Sequence, residues 1–337
     1  MDNKFIPTVK EHLDVSSPII ILTHFNPDGD AIGSSLALWH FLKKQNYQVD
    51  VIVPNDFPDF YKWMPGIDAI CIYSKHEKKC LELFEKAGMI FCLDFNMPDR
   101  VETLTDSLTN FKGIKVLIDH HQVPSDFFKL SYSRIDTSST SEMVYDFISA
   151  MDGEALVDKD IATCIYVGII TDTGSFSYNC DFPNTYKVTS EIFKKGINGE
   201  EIHRYVYCTF SEKRLRLLGY CLSEKLTVVD DLATAYISIS KEDMKRFDFN
   251  NGDSEGIVNY GLTIKDIKVS ALFSEKREYV KLSLRSTGDF NVGKFAREHF
   301  SGGGHKNASG ANVKNSLNGA IKLFLDKLSL YKNELSQ

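Results

Sequence analysis

The chain has 337 residues and a net charge of −7, with 43% hydrophobic and 25% charged residues. That is ordinary for a globular protein with room for two cores, and its acidic balance argues against a long nucleic-acid partner. No apolar run approaches the roughly 18 residues that a membrane helix needs, and the opening MDNKFIPTVKEHLDV lacks the features of a secretory leader, so a cytoplasmic protein without a membrane partner is expected. The seven cysteines form no CxxC pair, which favours buried reduced thiols over a disulfide or a thiolate metal site.

In chain order, the runs PIIILTHF, QVDVIVP, DAICIY, MIFCLDF and IKVLIDHH predict strands, separated by helical stretches at AIGSSLALWHFLKKQ and HEKKCLELFEKAG. Near-continuous apolar strands alternating with helices predict an α/β fold with a parallel sheet covered on both faces. Helices are expected at SEMVYDFISAM and through KDIATCIYVGII to TDTGSF. Residues 191–221 read as a charged helical connector. The pattern then changes to a hairpin at LTVVDDLATAYISIS, strands at KVSALFSE and YVKLSLRS, a glycine-rich turn SGGGHKNASG and a closing helix LNGAIKLFLDKLSLY. The expected organisation is a domain at 1–190, the connector at 191–221 and a smaller α+β domain at 222–337.

The unusual residues collect at the ends of apolar segments. His24, Asp28 and Asp30 follow IIILT, Asp94 ends MIFCL, Asp119, His120 and His121 end IKVLI, and Asp172 ends CIYVGIIT. In an open parallel sheet, ligands bind outside the carboxyl ends of the strands. Each feature has an ordinary explanation: NPDGD is good turn sequence, with Asp30 as the helix cap. Four segments delivering carboxylates and imidazoles to one rim are harder to explain as decoration, because buried charge is costly without a partner. Oxygen and imidazole donors without thiolates favour Mn²⁺ or Mg²⁺, and their number suits two ions 3.5–4 Å apart, the arrangement that serves in-line phosphoryl displacement. Residues 261–310 carry nine Lys and Arg against five Asp and Glu, a local basic patch suited to a small anion.

HFNPDGD, the Asp of LDFN, the DHH triplet at 119–121 and the Asp of TDTG resemble, in order, the four motifs of the DHH phosphoesterases. GGGHKNASG at 302–310 and SLRS at 283–286 resemble the DHH-associated substrate-binding domain, and the likeness runs from about residue 17 to 330. Length and domain order resemble most the stand-alone nano-RNase/pAp-phosphatase group. The resemblance implies a catalytic first domain with two Mn²⁺ ions, or Mg²⁺ or Co²⁺ as substitutes. His24 and Asp28 would hold one ion, Asp30, His120 and Asp172 the other, and Asp94 would bridge both. His121 would face the scissile phosphate, with Asp119 orienting it. In the second domain Gly302, Gly303 and Gly304 would allow close approach to substrate, His305 would contact the phosphate, Arg285 would grip a terminal phosphate, and Ser286 and Lys306 would assist. Ser301 departs from the pattern, since relatives often carry a fourth glycine there.

The implied function is Mn²⁺-dependent hydrolysis of short oligoribonucleotides and dinucleotides such as pApA, together with 3′-phosphoadenosine 5′-phosphate. Alternatives are a cyclic dinucleotide phosphodiesterase on the same site, a manganese pyrophosphatase, and a nucleotide-binding sensor without turnover. Long duplex nucleic acid is not an expected partner, and a homodimer is expected from the resemblance alone.

Overall fold

The computed structural model describes residues 4–250 and 252–335, and the chain divides between Thr209 and Phe210 into two units. In the first, the elements in order are α1 (Phe5–His12), β1 (Ile19–Thr23), α2 (Gly29–Lys44), β2 (Val49–Val53), β3 (Ile70–Ile72), α3 (Tyr73–Lys86), β4 (Met89–Leu93) and α4 (Thr105–Asn110). They continue with β5 (Ile114–Asp119), β6 (Leu130–Ser133), α5 (Thr140–Ala150), α6 (Lys159–Asp172), α7 (Pro183–Phe193) and α8 (Gly199–Tyr207). The five apolar runs expected as strands are β1 to β5. The sixth strand, LSYS, is short and polar and carried no sequence signal.

All six strands run parallel in the order β3-β2-β1-β4-β5-β6. Alternate residues of each strand serve opposite faces. Ile19 and Ile21 join Val51, Phe91 and Ile118 in the core beneath α2, α5 and α6, whereas Ile20 and Leu22 join Ile52, Ile90 and Leu117 beneath α3 and α4. Both faces are therefore buried, which is why the strands read as unbroken apolar runs. The strand order reverses direction between β1 and β4, and the crevice at their carboxyl ends is where such sheets bind ligands.

One packing detail sets the site. Helices α2, α5 and α6 meet at very short range: a Cβ on Gly168 of α6 would stand 1.9 Å from Ser141 Oγ and 2.5 Å from Asp30 Oδ1. A Cβ on Gly33 of α2 would stand 2.5 Å from the Cys164 carbonyl. Only glycine at these positions lets the helices approach closely enough to bring Asp30 and Asp172 to the same rim. Asp172 is the last residue of α6, where the helix expected through KDIATCIYVGII ends.

The second unit contains α9 (Glu212–Tyr220), β7 (Leu226–Val229), β8 (Thr234–Ile239), α10 (Lys241–Arg246), β9 (Val269–Glu275) and β10 (Val280–Ser286). It continues with α11 (Val292–Phe300), β11 (Gly303–Gly304), β12 (Ala308–Val313), α12 (Leu317–Leu328) and the short α13 (Lys332–Leu335). Its sheet order is β11-β12-β10-β9-β8-β7, antiparallel except for the β8–β9 pair. Phe273, Leu282 and Leu284 face Phe295 of α11 and Phe324 of α12, while Ile237 and Leu272 face Leu217 of α9 on the other side. The stretch 191–221 is divided by its apolar faces: Ile202 and Val206 of α8 enter the first unit's core, and Leu217 of α9 enters the second's. Part of the expected glycine-rich turn is strand, since β11 and the start of β12 pair within it. Among the described residues no helix is long and apolar enough to cross a membrane.

Candidate metal centre

The rim at the carboxyl ends of β1, β4 and β5 is built from buried acids and histidines. Asp30 and Asp119 have no exposed surface, and Asp94, His120 and His24 are 2%, 3% and 6% exposed. Each is placed by a local backbone feature. Asp28 is the N-cap of α2, accepting from the N–H groups of Asp30 and Ala31. The cap expected at Asp30 thus falls two residues earlier, and Asp30 is left for another task. Its carboxylate crosses to α5 and accepts from Thr140 N at 2.6 Å and Ser141 N at 2.8 Å, two N–H groups of a helix N-terminus that favours negative charge. Asp94 takes left-handed backbone, φ +65°, a conformation that Asp tolerates better than most residues and that turns the chain at the strand end.

The two oxygens of Asp94 face different partners. Oδ2 lies 3.5 Å from His24 Nε2, and Oδ1 lies 3.4 Å from His120 Nε2. Oδ1 also accepts from Thr140 Oγ1 at 3.0 Å. His24 Nδ1 meets the Phe25 carbonyl at 2.9 Å, which leaves Nε2 toward Asp94 and, at 3.9 Å, Asp28. His120 Nε2 lies 3.0 Å from Asp172 and 3.8 Å from Asp30. His121 Nδ1 meets Asp119 Oδ1 at 2.7 Å, and the same carboxylate accepts from the His121 N–H, so Asp119 fixes the ring of its second neighbour.

The donor atoms of His24, Asp28 and Asp94 lie within 4.8 Å of one another, as do those of Asp30, His120 and Asp172. Burial, with the charges of Asp94 and Asp172, raises Asp30 well above the carboxylate range. Asp28, its side chain 40% exposed, is pushed up to about 6 by burial of the carboxylate and by Asp94. Burial opposes ionisation of Asp94 too, but hydrogen bonds from His120 and His24 outweigh it and hold Asp94 well below its usual value. Burial disfavours the His120 cation, yet Asp172 and Asp94 raise that ring well above its usual range. Carboxylates crowded until burial and mutual repulsion raise two of them form a centre whose electrostatics call for cations. The oxygen and imidazole donors fit a hard or borderline divalent ion.

All six residues expected as ligands are brought to this rim, with Asp119 and His121 beside them. Sequence reasoning missed Thr140, Ser141 and Glu142, which support the rim from α5. The signal was the run TSSTSE before an apolar helix, a helix-start pattern that gave no hint of a contact with Asp30, 110 residues away in sequence.

In the second unit the expected residues lie on β10 and around β11 and β12. Arg285 is half-buried on β10; its Nη1 donates to the Leu284 carbonyl and its buried Nε has no hydrogen-bond partner among the described residues. Ser286 is buried and committed to structure, donating to the Phe290 carbonyl and accepting from Asn307 Nδ2. Lys306 pairs with Asp289 at 2.9 Å. His305 sits in the turn between β11 and β12, its N–H bound to the Ala308 carbonyl at 2.7 Å. A Cβ on Gly302 would stand 2.3 Å from the Gly310 carbonyl, and one on Gly304 (φ +141°) 2.5 Å from the Ala308 carbonyl, whereas Gly303 has open space to 4.0 Å. Two of the three glycines are thus required by the unit's own β12.

Residues 18–169 match the DHH family, N-terminal domain, and residues 230–334 match the DHHA1 domain. A crystal structure of an exopolyphosphatase-related protein from Bacteroides fragilis is 43% identical, with a TM-score of 0.92 over 99% of this chain and 98% of that one. The bifunctional oligoribonuclease and PAP phosphatase NrnA of Thermus thermophilus is 30% identical over 89% of this chain and 85% of its own length. The probable counterpart from Streptococcus mutans is 28% identical over 90% and 92%.

Proposed function

Since the chain belongs to the DHH phosphoesterase family and is a metal-dependent phosphoesterase, we propose that it uses two Mn²⁺ ions to hydrolyse short nucleotides. The substrates are very short oligoribonucleotides such as pApA, together with 3′-phosphoadenosine 5′-phosphate. The substrate class is carried over from the relatives named as oligoribonuclease and PAP phosphatase. The observation that carries the two-ion reading is Asp94, whose Oδ2 faces His24 and whose Oδ1 faces His120. In this reading His24 and Asp28 would hold one ion, Asp30, His120 and Asp172 would hold the other, and Asp94 would be shared between them.

When bound, the ions supply Lewis acidity at the phosphoryl oxygens and lower the pKa of water. The chain's own groups do the rest. Water oxygen joins phosphorus, its proton passing to solvent, as the bond to the leaving nucleoside oxygen breaks. His121, its Nδ1 held by Asp119, delivers a proton from Nε2 to that leaving oxygen. In the second unit Arg285 binds the terminal phosphate, His305 and the backbone of Gly302–Gly304 contact the substrate, and Lys306 adds positive charge. Ser286 acts on the substrate only through the loop it braces.

The test is a product assay with Mn²⁺ on pApA, a five-nucleotide RNA, 3′-phosphoadenosine 5′-phosphate, cyclic di-AMP and pyrophosphate, with a chelator control. Release of AMP from pApA and the RNA, lost on chelation, is the expected result. Cleavage confined to cyclic di-AMP or to pyrophosphate overturns the substrate reading. Binding of pApA in Mn²⁺ without AMP release makes the protein a sensor.

A further inference from the structure

Glu142 is a fully buried carboxylate that none of the proposed chemistry uses. Its Oε2 accepts from Ser138 N at 3.1 Å, Ser138 Oγ at 2.7 Å and Thr185 Oγ1 at 2.6 Å, and its Oε1 accepts from Asn184 Nδ2 at 2.8 Å. No Lys or Arg among the described residues pairs with it. A buried charge held only by neutral donors is costly, and the start of α5 does not need it: Ser139 already caps that helix through Glu142 N. The four bonds instead tie the segment before α5 to the first turn of α7, where Asn184 and Thr185 lie. The turn fixed in this way carries Thr140 and Ser141, whose N–H groups grip Asp30 while Thr140 Oγ1 grips Asp94.

We propose that Glu142 is a positioning residue of the metal centre, locking the first turn of α5 so that Asp30 and Asp94 present their oxygens at fixed spacing. The need for such a lock follows from the site's own geometry. Asp30, Asp94 and Asp172 all crowd His120 Nε2 within 3.8 Å, and Asp30 and Asp94 are held from behind by donors of this one turn. Two backbone N–H groups and a hydroxyl fix them there, but only while the turn itself cannot shift. This inference rests on the two-ion reading, which it deepens by adding the support behind two of the six ligands.

The experiment compares wild type, Glu142→Gln and Glu142→Ala after a melting curve establishes that each is folded. Amide exchange at Thr140 and Ser141 is measured in metal-free protein, and Mn²⁺ stoichiometry and affinity are measured by calorimetry. Glu142→Ala is expected to lose protection at both amides and to bind Mn²⁺ about 10–100-fold more weakly, the scale for losing a support behind a ligand. Glu142→Gln keeps the shape, and its amide oxygen can still accept from Ser138 and Thr185, but its NH2 then meets the Asn184 Nδ2 donor and loses that bond, so it falls between wild type and Ala in both readouts. Wild-type exchange and affinity in folded Glu142→Ala overturn the proposal. If the Ala variant does not fold, wild-type values in Glu142→Gln overturn it equally. Wild-type protein that takes up fewer than two ions overturns the two-ion reading, while the exchange measurement still decides whether Glu142 locks the turn.

Discussion

The carboxyl rim of the first sheet and the glycine-rich turn of the second are both unusual in sequence, yet they are unusual for different reasons. At the rim, buried acids and histidines crowd one another at a cost that no packing role offsets, and burial with neighbouring charge raises Asp28 and Asp30 above their ordinary values. In the turn, much of what reads as ligand-binding sequence serves the fold. Gly302 and Gly304 make room for β12, Ser286 ties the chain at Phe290 and Asn307, and Lys306 pairs with Asp289. Arg285 is the exception, with a buried Nε left without a hydrogen-bond partner among the described residues. A polar residue that costs the fold free energy is therefore a better pointer to function than a motif residue that the fold needs anyway.

Substitutions that touch only one region sharpen this contrast. Asp94→Asn keeps the shape and the left-handed backbone but removes the charge facing both histidines. Turnover is expected to fall by more than the roughly 10–100-fold typical of losing an outer support, with the fold retained by circular dichroism. Near-wild-type hydrolysis at saturating Mn²⁺ would remove the bridging role. Arg285→Ala is expected to weaken substrates bearing a terminal phosphate by about 1–3 kcal/mol, the scale of a charged hydrogen bond. An equal loss for substrates lacking that phosphate would assign the Arg another task.

The glycines divide the second region itself. Gly304→Ala should destabilise that unit by about 1–3 kcal/mol in urea unfolding, from the clash with the Ala308 carbonyl and the positive φ. Gly303→Ala should be within about 0.5 kcal/mol of wild type. If Gly303 approaches substrate, its Ala variant loses activity at unchanged stability, and full activity would make the whole run structural.

Acidity separates the regions again. Asp30 and His120 have folded values above their unfolded ones. The metal-free folded state therefore holds more protons than the unfolded chain at and above the ordinary carboxylate and imidazole values, and the rim loses stability as pH rises through that range. Bound cations displace those protons, so with Mn²⁺ the trend reverses. In the second unit Asp243 is held down at about 2. Burial opposes this, but bonds from Ser240, Lys225 and Tyr220 win. Its contribution is present above pH 3.8 and is lost as pH falls toward 2. Unfolding curves from pH 2 to 8, with and without Mn²⁺, check both signs. A small effect of opposite sign is expected at Ser301, which caps α11 in left-handed conformation, φ +51°. Ser301→Gly should stabilise by about 0.5–1 kcal/mol, and a destabilised variant would mean that the hydroxyl has a role of its own.

Much of this molecule is written locally. Strands β1 to β5 are legible because a sheet buried on both faces demands unbroken apolar runs. The eight rim residues are legible because charged groups at the ends of such runs are conspicuous. What the sequence could not declare depends on residues far apart in the chain. The polar strand β6 is stabilised by pairing with β5 and not by its own propensity. The arrival of Asp172 from a helix end depends on Gly33 and Gly168 letting α2 and α6 nearly touch. The division of labour between Asp28, which caps its own helix, and Asp30, which reaches the turn of another, depends on α5 lying across them. Residue types and their order determine which groups are available for chemistry. Only tertiary packing decides the ångström-scale distances between them, because those distances are set by contacts between segments that no local pattern relates.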